Sequence, residues 1–246
     1  MMFLEIIADN IADWAPRLLA GLRLTLSLTA AGFSLALALS LLVEYMRSRR
    51  NIWVSSIARL YITIARGIPI LVVLYLLYFA LPGAGVALPA FLAGSVGLAL
   101  VYAAYLAEVF RAGLSAVQTG QREAALAIGL TPRQAFQHVL LPQAIRYTIA
   151  PLVINMVSLL KDSSICALIT VPELTLVSRE IMSESFRPLH VFALTAMLYF
   201  GLAWPASLIA RIIENRFQNG SPVTKCCQQT ALPPGPKTLS QLQSLP

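Results

Sequence analysis

Three runs of this chain, residues 24–43, 86–107 and 189–210, contain no Asp, Glu, Lys or Arg. Crossing the hydrocarbon of a bilayer takes about twenty consecutive apolar residues as a helix. Each run meets that length, so the chain reads as an all-α membrane protein before any motif is considered. Two further segments are interrupted. Residues 57–81 form an apolar stretch carrying Arg66-Gly67-Ile68-Pro69 inside it. Residues 147–160 are apolar but too short to cross alone; Lys161-Asp162-Ser163-Ser164 interrupts them and 165–171 resumes. That last segment reads as one broken span, or as a span followed by a re-entrant piece. The expectation is five transmembrane helices.

Composition agrees. Of the 246 residues, 58% are hydrophobic and 12% charged, where a soluble domain carries about 25% charged residues. The net charge of +7 is explained by how the bases are distributed, without nucleic acid. With five spans the termini lie on opposite sides. One set of faces then holds Arg47, Arg49, Arg50, Arg59, Arg111, Arg122, Arg133, Arg146, Arg211, Arg216, Lys225 and Lys237. The other holds Arg17, Arg179 and Arg187. Basic residues favour the cytoplasmic side, which puts the C-terminus inside and the N-terminus outside. The organisation expected is an extracytoplasmic segment at 1–17, a membrane domain at 18–217 and a cytoplasmic tail at 218–246. The tail is rich in Gln, Pro, Ser and Thr and lacks an apolar period, the composition of a disordered segment. The N-terminus has no basic region, and Glu5 breaks its apolar stretch, so it is not read as a secretory signal.

Between the third and fourth spans lies a polar, basic segment at 120–149 with strong local helix signals. Gly120 is read as an N-cap, which puts Glu123 at the third helical position, facing exposed N–H groups. Ala124, Ala125, Leu126, Ala127 and Ile128 favour a short helix, and Gly129 suits the left-handed turn that ends it. Thr131-Pro132-Arg133-Gln134 starts a second helix as a capping box with proline at the first position. Pro142 is expected to break the chain again. Two capped helices joined at a glycine, with small alanines on the first, read as a docking surface for another protein or as an ordered interfacial loop.

Charges inside a membrane each need a reason. Arg66 precedes Gly67 and Pro69, where a kink frees backbone carbonyls; it either lines a path there or snorkels to the boundary. Lys161 and Asp162 either neutralise each other or border an aqueous path with Asn155 and Ser158. Glu108 and Arg111 are spaced for a local helix pair. No metal site is expected: His138 and His190 are far apart, and Cys226-Cys227 lacks ligand spacing. No nucleophile elbow and no Gly-x-x-x-x-Gly-Lys-Ser/Thr phosphate loop occurs in the sequence, so no enzyme active site or cofactor is expected. ATP-driven movement would need an engine on another subunit. A self-sufficient secondary carrier of small polar solutes is the alternative, but five spans do not divide into the two halves of an inverted repeat.

Four pieces in register resemble one family. They are Tyr61-Ile62 with Ala65-Arg66-Gly67-Ile68-Pro69-Ile70-Leu71; 104–113, AYLAEVFRAG; Gly120-Gln121-Arg122-Glu123-Ala124-Ala125 with Gly129 and Leu140-Leu141-Pro142-Gln143-Ala144; and Leu160-Lys161-Asp162-Ser163-Ser164. Over about residues 21–217 the chain is similar to the permease subunits of bacterial ATP-binding-cassette (ABC) importers, in the polar amino acid branch (histidine, glutamine, glutamate, arginine and opine type). Arg122, Ile68 and Ser163 depart from the residues usual there. The resemblance implies a type I importer permease fold in the bacterial inner membrane. It implies a second permease subunit, two cytoplasmic ATP-binding subunits, an extracytoplasmic solute-binding protein and a polar amino acid substrate. It also implies that the loop at about 111–146 carries a coupling helix, with Gln121, Glu123, Ala124, Ala125, Gly129 and Pro142 as its contact and turn positions. Arg66, Asn155, Ser158, Lys161 and Asp162 are the candidate pathway residues.

Overall fold

The computed structural model describes residues 2–218, all in helices, turns and short connections. Helix α1 spans Met2–Arg47. Its 46 residues extend about 69 Å at 1.5 Å per residue, roughly twice the hydrocarbon thickness. The 24–43 run is thus the middle of one helix, and residues 2–17 belong to the same helix. Near its start Trp14 and Leu18 are buried against Leu174, Val177, Ile181 and Val191.

Helix α2, Ile52–Gly67, is capped by Asn51, whose side chain accepts from Trp53 N. It does not continue as a straight span. Pro69 has no N–H and disfavours helical geometry at the residue before it, and Ile68 is extended at φ −97°, ψ 132°. The chain turns by 103° there before Ile70–Ala84. That second arm comprises α3, Ile70–Tyr75, a π turn at Leu76–Ala80 and a 3-10 turn at Leu81–Ala84. The expected span at 57–81 is therefore two arms at nearly a right angle. Counted as one, the pair brings four long apolar helices to five.

Helix α4, Ala90–Ser115, is the hub, packing against α1, α2, α3 and the later α7. In lipid the hydrophobic effect does not draw helices together, so close approach of small residues does. Ala93, Gly94, Gly97, Ala103, Ala104 and Ala107 are all buried along α4. A Cβ on Gly97 would lie 2.6 Å from Leu74 Cδ2, and one on Gly113 would overlap the Thr148 hydroxyl. The core at this hub is formed by Leu28, Leu74, Leu98, Leu106, Leu159 and Ile169.

After α5, Thr119–Ala127, and the single turn α6, Pro132–Gln134, a π turn at Ala135–Leu140 leads directly into α7, Leu141–Asp162. Pro142 does not break the chain. The wider π turn already uses an i−5 bond, Leu141 N to Phe136 O, so the helical path absorbs the missing N–H within the change of register. Nor does Lys161-Asp162 interrupt the fourth span. Both end α7, which tightens into a 3-10 helix at Ser163–Ile169 and stops at Thr170, φ 62°. Polar helix α8, Leu174–Ser185, and peripheral α9, Pro188–Gln218, complete the fold. On α9, Met197, Phe200 and Trp204 are exposed, as a lipid-facing helix requires. Beyond Gln218 the expected tail, with Cys226 and Cys227, lies outside the described residues.

Candidate functional site

The break at Ile68–Pro69 positions a cavity. Because α2 ends there and α3 leaves sideways, the Arg66–Ile70 corner faces α4 and α7 across a space of about 530 Å³. Val101, Tyr102 and Tyr105 of α4 line it, with Asn155, Ser158 and Asp162 of α7. Four of the five candidate pathway residues thus meet in one cavity. Lys161 is the exception: it is exposed and does not line the space.

Two of the polar groups are held from their own helix and the third from α4. Asn155 Nδ2 donates to Pro151 O at 2.9 Å and Ser158 Oγ to Ile154 O at 3.1 Å. Asp162 Oδ2 accepts from the Tyr102 hydroxyl at 2.7 Å. Among the described residues it makes no ion pair with Lys161, so mutual neutralisation of those neighbours is not what the structure shows. The Arg66 guanidinium lies 5.5 Å above the Tyr105 ring centroid. Two further cavities, about 530 and 600 Å³, adjoin through the same Arg66 and Tyr105 and reach Glu108.

Glu108 does more than pair with its helical neighbour. Its Oε2 accepts from Arg111, and its Oε1 binds Arg47 Nη1 of α1 at 2.8 Å. Arg47 also binds Glu44. The C-terminal ends of α1 and α4 are therefore tied by a four-residue charge network. At the far end of the fold, Arg17 of α1 holds Glu184 of α8 through two hydrogen bonds.

The loop that follows α4 is a closed hairpin. Helix α5 begins at Thr119, with Gln118 at the N-cap and no side-chain capping bond. Gly120 is therefore inside the first turn, and Glu123 lies beyond the N–H groups it was expected to meet. The reason is chain length: α4 runs to Ser115 and leaves only three residues before α5 starts. The other end matches the sequence reading. Gly129 has φ +87°, Gly129 N bonds Leu126 O at 3.0 Å, and Leu130 N bonds Ala125 O at 3.2 Å. This pair of bonds is the Schellman stop. Thr131 and Gln134 form the capping box, with Gln134 Oε1 accepting from Thr131 N at 3.0 Å.

Helix α5 packs on the π turn, with Ala125 and Ala135 as the buried residues of the two elements. Ala125 is thus small for internal packing, while Ala124 and Glu123 stay exposed. Gln143 Nε2 donates to Gln121 Oε1 at 3.3 Å and closes the hairpin onto α7 beside exposed Pro142. At the tip Ile128 is 78% exposed. A large apolar side chain next to the glycine stop is a contact candidate that composition alone does not single out.

The structure also assembles a buried group invisible to sequence spacing. Glu173, the N-cap of α8, is fully buried; its Oε1 accepts from Leu176 N at 3.0 Å and its Oε2 from the Tyr199 hydroxyl at 2.8 Å. Thr25 of α1 accepts from Leu174 N at 3.0 Å beside it. Burial pushes the Glu173 carboxyl above the ordinary carboxylate range, opposed by its hydrogen bonds to Thr175, Tyr199 and Leu176. Among the described residues no cluster of His, Cys, Asp or Glu could hold a metal.

Residues 32–219 match the family model for the inner membrane component of binding-protein-dependent transport systems. A protein described as a probable amino-acid ABC transporter permease, from Sinorhizobium fredii, is 37% identical over 81% of this chain and 86% of its own length. The glutamine transport system permease protein of Escherichia coli is 32% identical over 84% of this chain and 98% of its own. The crystal structure of an amino acid ABC transporter with histidines superposes with a TM-score of 0.80 at 33% identity, covering 84% of this chain and 97% of that one. A methionine ABC transporter in an inward-facing conformation, at 21% identity and a TM-score of 0.60, shares the fold. The chain belongs to the family of inner membrane components of binding-protein-dependent transport systems.

Proposed function

We propose that this chain is the membrane-spanning subunit of an ABC importer for amino acids, supplying the translocation path and receiving the work of ATP from separate cytoplasmic subunits. The single observation that carries the coupling half is the closed hairpin at 119–140. It is stopped by Gly129, boxed by Thr131 and Gln134, tied to α7 by Gln121 and Gln143, and tipped by exposed Ile128. A rigid handle attached to a transmembrane helix transmits force; a loose loop does not. In this reading Gln121, Glu123, Ala124 and Gly129 face or shape the ATPase contact, Ala125 holds the hairpin together, and Pro142 marks its join to α7. A solute-binding protein delivers the amino acid from outside, and a second permease, a copy or a relative, completes the pathway.

The hairpin lies at the cytoplasmic side. The clustering of Arg47, Arg111, Arg122, Arg133 and Arg146 toward this end of the chain's helices, against Arg17, Arg179 and Arg187 toward the other, supports that orientation.

The test is uptake of labelled glutamine, arginine or histidine into vesicles holding the full complex. Gly129→Val and Ile128→Asp are expected to reduce ATP-driven uptake at least tenfold while leaving the permease in the membrane. Wild-type uptake in both variants, or accumulation by the permease without ATPase subunits, would favour the secondary carrier instead.

A further inference from the structure

The hairpin at 119–140 is joined to α4 through only residues 116–118, so a push on it arrives first at the last turns of α4. Those turns are held on three sides. Toward α2, Ala104 and Ala107 share an apolar cluster with Ala58 and Ile62. Toward α7, Gly113 packs so closely on Thr148 that a Cβ would overlap the hydroxyl. Toward α1 the tie is ionic: Arg47 Nη1 donates to Glu108 Oε1 at 2.8 Å. Among the described residues this is the only side-chain hydrogen bond or ion pair joining α1 to α4. Elsewhere the two helices meet through small and apolar residues, Gly32 against Leu98 and Gly94 against Leu28. In lipid no hydrophobic effect draws such surfaces together, and packed helices slide past one another in shear motions.

Neither charge needs the other for neutrality. Arg47 already pairs with Glu44 and Glu108 with Arg111, each three residues away on its own helix. The bond between the helices therefore adds a connection where partners are already present. Both side chains are shielded, 12% exposed for Arg47 and 25% for Glu108, where salt screens less than at an open surface. The Arg47 backbone is fixed from a further side, since its carbonyl accepts from Ser55 Oγ of α2 at 2.9 Å.

We propose that Arg47 and Glu108 are positioning residues for transport, an ionic strut that makes α1 travel with α4 when the hairpin is driven. The proposal rests on the importer reading above and deepens it by assigning the route from the hairpin to α1. Without the strut the hairpin still meets its ATPase and ATP is still hydrolysed, but α1 lags behind α4. What is lost is coupling, while the fold and the ATPase contact remain.

The experiment measures uptake of labelled glutamine, arginine or histidine and hydrolysis of ATP in the same vesicles, holding the full complex. Glu108→Gln and Arg47→Gln should each cut the amino acid imported per ATP hydrolysed at least fivefold, with hydrolysis within about twofold of wild type. The double variant should be no worse than either single one, since both remove the same bond. Arg47→Lys, which keeps the charge, should recover part of the ratio. Glu44→Gln and Arg111→Gln leave the bond between helices in place and should keep the wild-type ratio. A second readout is the distance between spin labels at Ser48→Cys and Ser115→Cys, both exposed, just past Arg47 and at the end of α4, in a background without the native cysteines. With Arg47 and Glu108 intact, that distance should be the same with and without trapped nucleotide; in Glu108→Gln it should shift or broaden. Because this label pair needs no change at the strut, it tests the proposal even where a charge variant fails to fold. A distance that shifts with nucleotide while the strut is intact would overturn the proposal. So would uptake and hydrolysis falling in equal proportion in the single variants, or single losses that multiply in the double one. Each of those outcomes leaves the importer reading standing, whereas absence of ATP-driven uptake in the wild type would sink that reading instead.

Discussion

At the scale of single residues, Glu173 carries the clearest expectation. Its carboxyl is pushed up by burial, so the folded protein holds the proton more tightly than the unfolded chain. For a raised carboxyl, the stabilisation is fully present below the unfolded pKa and lost as pH rises through the folded one. Glu173→Gln keeps an acceptor for Tyr199 and Leu176 without a titrating proton. It should therefore flatten this group's contribution to the pH dependence of melting as pH rises above the ordinary carboxylate range. A variant with the wild-type slope would contradict this. Glu173→Ala removes the acceptor from Leu176 N–H and from the Tyr199 and Thr25 hydroxyls and should cost about 1–3 kcal/mol for each donor left unsatisfied, read as a lower melting temperature of the purified complex. Nothing in the run Pro172-Glu173-Leu174 shows that this Glu is buried while Glu180 and Glu184 are not. Burial comes from α1 and α9, which bring Thr25 and Tyr199 from 148 and 26 positions away.

Elements were legible in proportion to how local their causes are. The Thr131–Gln134 box and the Gly129 turn depend on residues three to five apart, and both stand as read. Thr131→Ala should cost the hairpin about 1 kcal/mol, measurable as faster proteolysis within 119–140. Gly120 failed as a cap, and Pro142 as a break, because neighbouring elements set their positions: the end of α4 in one case, the π turn in the other. Contact between α4 and α7 gives a further expectation. Gly113→Ala puts a methyl onto the Thr148 hydroxyl and should destabilise by about 1–3 kcal/mol as overpacking does. Thr148→Ala in the same chain should recover most of that loss, since neighbouring substitutions couple. Additive losses in the double variant would rule out the contact as the cause.

For the whole molecule, the proposed orientation can be read by accessibility. In a background without the native cysteines, Ile128→Cys, at the 78% exposed hairpin tip, and Phe186→Cys, 86% exposed after α8, should react from opposite sides of sealed membranes. The first should label only from the cytoplasmic side; the reverse would invert the topology drawn from the basic residues. The sequence by itself determined that this chain lives in a bilayer, that helices cross it, and which local signals start and stop the hairpin. Each rests on composition or on residues within one turn of each other. Only the tertiary structure decided that the second apolar segment turns through 103°, that Arg66 and Asp162 share a cavity without touching, and that Glu173 is buried. These outcomes depend on which helices pack around α4, and packing between distant segments leaves no periodic mark in the chain.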